Sequence, residues 1–148
     1  MVDLVLYHEA CPDGFCAAWL IHQKWPDAQY VPMQYGKEPP DVTGKDVIVA
    51  DFSFSRAKLL EMKEKAKGLL LLDHHATAET DLKDLGFCVF DMKRSGAMIV
   101  WDHLFGGEAP PIVQYVQDRD LWSWKLPNSH EVSACIASYA RDFHAWTC

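Results

Sequence analysis

The sequence predicts an α/β fold: an open, mainly parallel five-stranded sheet with helices on both faces. Three observations point to it. The apolar runs Leu4-Val5-Leu6-Tyr7, Val47-Ile48-Val49-Ala50 and Leu69-Leu70-Leu71-Leu72 are continuous rather than alternating, as strands covered on both faces are. Segments of helical spacing separate these runs, which calls for parallel strands joined by right-handed crossovers. Each run also passes straight into His or Asp: His8 after the first, with Asp13 a short loop later, Asp51 after the second, and Asp73-His74-His75 after the third. Open α/β sheets bind ligands beyond the carboxyl ends of their strands, so these residues stand where chemistry is expected.

The elements follow in order. Phe15, Ala18, Trp19 and His22 share one face of a helix that begins near Gly14 and stops before Pro26. Asp13 could cap that helix. A second strand is expected around Gln29 to Met33, and Pro39-Pro40 and Gly44 mark a loop before the strand at Val47. Ser55 reads as the N-cap of a helix from Arg56 to Lys67, with Lys63, Lys65 and Lys67 near the end where the helix dipole favours cations, and Gly68 closes it. After the Leu69 strand come a polar loop and a short strand near Phe87 to Phe90. A Ser-capped helix is expected from Ser95 to Phe105, ended by Gly106-Gly107. Another opens at Pro110-Pro111 and runs toward Gln117. The tail from Ser129 to Trp146 reads as one helix with Val132, Ile136, Tyr139 and Phe143 on its apolar face.

At 148 residues the chain is expected to form one domain, residues 1–148, and its 49% hydrophobic and 24% charged content is that of a globular protein. A net charge of −7 argues against a long basic groove for duplex DNA, because affinity for phosphate backbones is largely electrostatic. A short phosphate-containing substrate held through metal fits this charge better than a polymer. No segment approaches the roughly 18 apolar residues of a membrane helix, and the N-terminus carries no signal-peptide pattern. Five Cys without a zinc-type CxxC suit thiols in a reducing cytoplasm, the expected location.

The candidate chemical residues are therefore His8, Asp13, Asp51, Asp73, His74, His75 and Asp118, the last from Gln117-Asp118-Arg119-Asp120 at a helix end. Mixed carboxylate oxygens and imidazole nitrogens suit a hard or borderline divalent cation. Taken singly, Asp118 and Asp120 are read as readily as a solvated helix end with a local ion pair to Arg119.

Set out in this order, the residues resemble the DHH phosphoesterases. His8 through Asp13-Gly14 matches the family's first motif, Asp51 its second, Asp73-His74-His75 its third, and Asp118 best matches its fourth. Arg94-Ser95-Gly96-Ala97 resembles a stretch found in one bacterial and phage branch. The resemblance implies two divalent cations, usually Mn2+, with Mg2+ or Co2+ possible, bridged by Asp51. One would take His8 and Asp51, and the other Asp13, Asp51, His74 and Asp118. It implies catalytic roles for His75, on the substrate phosphate, and for Asp73, supporting the His pair from behind. A carboxylate can bridge two cations with its two oxygens and a neutral imidazole cannot. The implied activity is a hydrolase: cleavage of phosphodiester bonds in short single-stranded oligonucleotides or nucleotides by a metal-activated water. Pyrophosphate, polyphosphate or a cyclic dinucleotide are alternatives, and a catalytically idle metal- or nucleotide-binding module is a different class. Arg94, Ser95, Arg119 and Asp120 are candidate substrate contacts.

Two departures stand out. Many family members have a second Asp in the first motif, where this chain has Cys11. Either the thiol binds a softer or borderline ion, or it is a small buried thiol packed under the loop; the second is preferred, with weaker occupancy expected on the His8 side. Glu9 is a conceivable substitute. The family's C-terminal substrate-recognition domain is also not expected within residues 1–148, which leaves either a truncated or a minimal form. Among the remaining residues, His22, His103, His130 and His144 are expected to pack or face solvent. Trp19, Trp101 and Trp146 read as core, and so do Trp122 and Trp124, with base stacking as the alternative.

Overall fold

In the computed structural model, which describes residues 1–147, the chain runs β1 (Leu4–His8), α1 (Pro12–Lys24), β2 (Gln29–Met33), β3 (Asp46–Ala50), α2 (Arg56–Lys65), β4 (Gly68–Asp73), α3 (Ala76–Leu82), β5 (Cys88–Phe90), α4 (Gly96–Leu104), α5 (Pro111–Asp120), α6 (Ser129–Ser138) and α7 (Phe143–Thr147). The strands form one sheet in the order β2-β1-β3-β4-β5, every pair parallel. The predicted fold class is the observed one.

The continuous apolar runs are buried on both faces, as expected. Val5, Ile48, Ala50 and Leu72 face one core with Leu20 and Ile21 of α1, Ile99 and Val100 of α4 and Val113 and Val116 of α5. Leu4, Leu6, Val47, Val49, Leu69 and Leu71 face the other core, closed by Leu59 and Met62 of α2 and Leu82 of α3. Each fully buried leucine contributes about 1.5–3 kcal/mol of transfer free energy.

Register then positions the site. Tyr7 pairs with Ala50, and Ala50 with Leu72. The next residues, His8, Asp51 and Asp73, are thereby brought level along the carboxyl edge of three adjacent strands. The direction of strand addition reverses between β1 and β3, and ligand crevices form at such reversals.

Local chemistry sets most helix ends as predicted. Pro12 and Pro111 occupy first-turn positions, where a missing N–H costs nothing. The Ser55 and Ser95 hydroxyls accept from Lys58 N and Met98 N.

Four expectations are corrected. The polar stretch after His75 contains α3. Helix α2 ends at Lys65, and Gly68 begins β4 because it pairs with Asp46. The tail is two helices: the backbone turns extended at Tyr139, and Asp142 starts a new helix by accepting from Ala145 N. Tyr139 is consequently exposed, while Phe143 stacks on Phe15 and His22. Trp122 is 74% exposed and is not core. Trp124 is half-buried and stacks on His130 at 3.8 Å, whereas Trp19, Trp101 and Trp146 pack against the core as expected. Among the described residues no helix is long and apolar enough to cross a membrane.

Candidate metal centre

Asp51 follows β3 directly and takes φ +54°, a left-handed conformation that costs an ordinary L-residue about 1–2 kcal/mol and that Asp visits more readily than most. Its backbone N donates to Leu72 O at 2.8 Å, so the neighbouring strand holds the turn. The turn places a carboxylate that is 1% exposed between two sets of donors. On one side, Asp51 Oδ2 lies 3.7 Å from His8 Nδ1 and accepts from Cys11 Sγ at 3.4 Å, and Cys11 Sγ is 3.5 Å from His8 Nδ1. On the other, Asp51 Oδ1 is 3.0 Å from His74 Nε2, which is also 3.3 Å from Asp13 Oδ2 and 3.3 Å from Asp120 Oδ2.

Asp13 sits at the second position of α1 but does not cap it. Its carboxylate crosses to the start of α4, where Oδ2 accepts from Gly96 N at 2.8 Å and Oδ1 from Ala97 N at 2.9 Å. The N-terminus of α4 thus fixes a carboxylate 83 residues away in sequence and complements its charge. Two glycines make room for the cluster. A Cβ on Gly14 would lie 2.2 Å from His8 O, and one on Gly96 would lie 2.6 Å from Asp51 Cβ.

Asp73 stands behind His75. Its Oδ2 accepts from Ser53 Oγ at 2.7 Å, and its Oδ1 accepts from His74 N at 2.8 Å and faces His75 Nδ1 at 2.6 Å. Asp73 therefore stands in ion-pair contact with the His75 imidazole, without a well-aligned hydrogen bond, and bonds only the backbone of His74. Ser53 was not anticipated, and nothing in the sequence singles it out.

The donor set fits divalent cations. Asp51 Oδ1 is buried and accepts no hydrogen bond even with His74 Nε2 3.0 Å away. Three carboxylates converge on a ring nitrogen that can carry only one proton. The resulting strain is visible in the proton affinities. Burial and the charge of Asp51 push Asp13 up to about 7, and burial raises Asp120. Burial would also raise Asp51, but the His74 and His8 imidazoles outweigh it and hold that carboxyl down to about 2. Against burial, Asp13 and Asp51 drive His74 up to about 11. Cations between these groups would relieve the repulsion and would displace the His74 proton, since ligands bind deprotonated. Burial, reinforced by Asp51, also raises the Cys11 thiol.

Six of the predicted residues, His8, Asp13, Asp51, Asp73, His74 and His75, come together. Asp118 does not, and its assignment as a ligand is corrected. Its carboxylate accepts from Lys125 N, Leu126 N and Ser129 Oγ at 2.9, 3.1 and 2.5 Å, which ties down the loop after α5. Asp120, expected as a substrate contact, takes the place in the cluster. Residues two apart on a helix point about 200° from one another, so only one of the pair can face the site. A sequence signal existed: Asp120 lies four and seven residues beyond Val116 and Val113, the buried stripe of α5. Ser95 caps α4, and Arg94 pairs with Asp102 at 3.5 Å. Arg119 lies between the two acids on α5. Glu9 turns to Gln34, and its carbonyl to Arg141. A cavity of about 530 Å³ beside Arg94, Gln117, Asp118 and Lys125 contains none of the clustered ligands.

Asp118→Ala and Asp120→Ala should therefore separate cleanly. The first strands three hydrogen-bond donors, the Ser129 hydroxyl among them buried, and should cost about 1–3 kcal/mol of stability with cation affinity nearly unchanged. The second should weaken Mn2+ binding by at least the 10- to 100-fold that a lost supporting contact costs, while leaving the melting temperature of the cation-free protein unchanged or higher. Calorimetric titration and thermal melts check both, and equal Mn2+ losses in the two variants would contradict the assignment.

No family model matches the chain. The chain is similar to uncharacterized protein R106 of Acanthamoeba polyphaga mimivirus, 29% identical over 165 aligned positions that take in 98% of this chain and 39% of R106. In fold it is similar to an uncharacterized protein from Helicobacter pylori G27, seen in a crystal structure, with TM-score 0.75 and 17% identity over 93% of this chain and 50% of that one. The chain thus spans 39% and 50% of the length of these two proteins. The structural likeness bears out the open α/β architecture.

Proposed function

We propose that the chain is a divalent-cation-dependent phosphohydrolase of the DHH type, cleaving phosphodiester bonds of short oligonucleotides or nucleotides. The observation that carries this reading is Asp51, one carboxylate oxygen toward His8 and Cys11 and the other toward His74, Asp13 and Asp120. One cation would rest on His8 and Asp51, with Cys11 beside them, and the second on Asp13, Asp51, His74 and Asp120. A pair of cations so held, with Mn2+ the first choice, supplies an activated water and neutralises charge on a transferring phosphoryl group.

The chain's own residues do the rest. The left-handed turn at Asp51 and the α4 clamp on Asp13 fix the ligands before substrate arrives. The Asp73 carboxylate, outweighing burial, raises His75, so its imidazolium form gains weight near neutral pH. With Nδ1 facing Asp73, the Nε2–H is left to donate to a phosphate oxygen, and His75 is accessible enough to do so. The free thiols of Cys11, Cys16, Cys88 and Cys135 suit the reducing cytoplasm proposed as its location.

Trp122 favours a nucleotide over an inorganic phosphate. It stands two residues beyond Asp120, exposed, at φ +56°, in a loop that Asp118 organises. Bulky residues seldom hold that conformation, and exposed aromatic faces stack bases for about 1–3 kcal/mol each. Trp122→Ala is expected to raise KM for a dinucleotide about 5- to 100-fold with kcat and pyrophosphate turnover little changed. Steady-state kinetics on both substrates decide it, and an equal loss on pyrophosphate would remove the stacking role.

The direct test incubates the chain with Mn2+ and, separately, a labelled dinucleotide, pyrophosphate and a cyclic dinucleotide, beside an Asp51→Asn control. Cation-dependent release of mononucleotides is the expected result. Absence of turnover on every substrate, or a control as active as the natural chain, overturns the proposal.

A further inference from the structure

Cys11 occupies a corner of the cluster, and its surroundings are those of a ligand rather than of a packing residue. Its Sγ, His8 Nδ1 and Asp51 Oδ2 form a triangle with sides of 3.5, 3.4 and 3.7 Å. Zinc-like cations bind sulfur at about 2.3 Å and nitrogen or oxygen at about 2.0–2.2 Å in tetrahedral sites, which sets donor-to-donor edges of about 3.3–3.6 Å. The two sides at sulfur fall on those edges and the Nδ1–Oδ2 side exceeds them by about 0.1 Å, so a small side-chain adjustment brings all three atoms within reach of a single ion without moving the backbone. The opposite donors differ. Asp13, Asp51, His74 and Asp120 offer three carboxylates and one imidazole, with contacts to His74 Nε2 of 3.0–3.3 Å. They are mainly hard oxygen donors, with one borderline imidazole and no sulfur. Asp51, 1% exposed with Oδ1 unpaired, is the buried group that links the halves.

We infer that the two halves of the centre are chemically unequal: His8, Cys11 and Asp51 form a tetrahedral site selective for a thiophilic divalent cation of the zinc or cobalt class, beside a harder, oxygen-rich site. This rests on the reading of the cluster as a cation centre and goes beyond it by assigning a cation class to each half. On coordination the S–H bond breaks, the electron pair left on sulfur binds the cation, and the proton passes to solvent. Geometry around the thiol supports a ligand over a filler. Gly14 permits the close approach of the following helix to His8, so the loop from His8 to Asp13 is held tightly and presents both His8 and Cys11 to Asp51. The preference for a buried thiol packed under the loop is replaced by this assignment.

The test is a Co2+ titration of the full chain, stripped of cations and kept reduced, followed by absorption and by calorimetry. Expected are a thiolate-to-cobalt charge-transfer band in the near ultraviolet and intense visible bands of tetrahedral Co2+, saturating at one equivalent. Cys11→Ser should lose the charge-transfer band and bind Zn2+ at least 10- to 100-fold more weakly at that half. Cys11→Asp, which restores a hard ligand, should still bind cations but without the band. Cys135→Ser, at an exposed thiol remote in sequence, should keep the band. Co2+ binding without the charge-transfer band, or a band that survives in Cys11→Ser, overturns the assignment while leaving the cation centre intact. No cation bound by calorimetry overturns the assignment and the centre together.

Discussion

Asp51→Asn is expected to lower cation-dependent turnover by about 1,000-fold or more, since charge stabilisation by bound metal is worth several kcal/mol at the transition state. Asn matches Asp in shape, so the loss isolates charge from packing. The amide keeps one acceptor oxygen and cannot face both halves of the centre as an acceptor; its nitrogen would point a donor at either His8 and Cys11 or His74. Stability of the cation-free protein moves with pH in a defined sense. The Asp51 carboxyl is held down to about 2 because His74 and His8 outweigh burial. Its ionised form therefore stabilises the fold above about pH 4, the unfolded value, and that contribution fades as pH falls toward 2. The Asn variant forfeits this contribution at neutral pH, and its melting curve should converge with that of the natural chain in acid. Turnover with Mn2+ and melts between pH 2 and 7 check both halves. A variant that turns over normally would remove Asp51 from the chemistry, and one that melts lower at every pH by the same amount would make its role structural.

What the sequence made legible follows from the period of its apolar residues. Leu4-Val5-Leu6, Val47-Ile48-Val49 and Leu69-Leu70-Leu71 carry no polar position on either side, which only strands between two helical layers tolerate. Parallel strands in register then bring whatever follows each run to one edge. That is why His8, Asp51 and Asp73-His74-His75 could be grouped before any contact was known. Asp118 and Asp120 were harder. Both follow an apolar helix end, and the choice between them depends on helical phase, which the Val113 and Val116 stripe carries but composition does not. Besides Ser53, two features leave no mark in the sequence. The clamp of Asp13 by Gly96 N and Ala97 N is a backbone contact between distant segments and leaves no trace in side-chain type. The exposure of Trp122 contradicts the usual burial of large aromatics, and it arises because Asp118 folds the loop into left-handed turns at Trp122, Trp124 and Asn128. For Cys11 the sequence leaves two readings open, a ligand to a softer or borderline ion and a thiol packed under the loop; the distances to His8 and Asp51, which depend on the fold, are what favour the first.

Gly96→Ala is expected to weaken cation binding by at least tenfold while bringing none of the roughly 1 kcal/mol that Ala in place of Gly ordinarily adds to a helix. Gly96 is the first residue of α4, and its backbone needs no glycine-specific conformation. The new Cβ would meet Asp51 Cβ at 2.6 Å, Oδ1 at 2.7 Å and Cγ at 2.8 Å. None of these is the free end of a flexible side chain. Asp51 is fixed by its left-handed turn, by its N–H on Leu72 O and by burial. Relief must come either from tilting Asp51 out of the centre or from backing α4 away. The second route stretches the two bonds by which Gly96 N and Ala97 N hold Asp13, so either route disturbs two ligands together. Overpacking of this kind costs about 1–3 kcal/mol, which exceeds the helix-propensity gain at the upper end and roughly cancels it at the lower. Cation affinity has no such compensation and should fall by at least tenfold, the lower end of what misplaced supporting groups cost a metal site. Gly86→Ala is the matched control, because nothing lies within 4 Å of a Cβ there; it should leave stability within about 0.5 kcal/mol, as surface changes usually do, and binding unchanged. Thermal melts and Mn2+ calorimetry on both variants decide the matter. A Gly96→Ala protein that binds Mn2+ as tightly as the natural chain would show that α4 and Asp51 do not approach as closely as the centre requires.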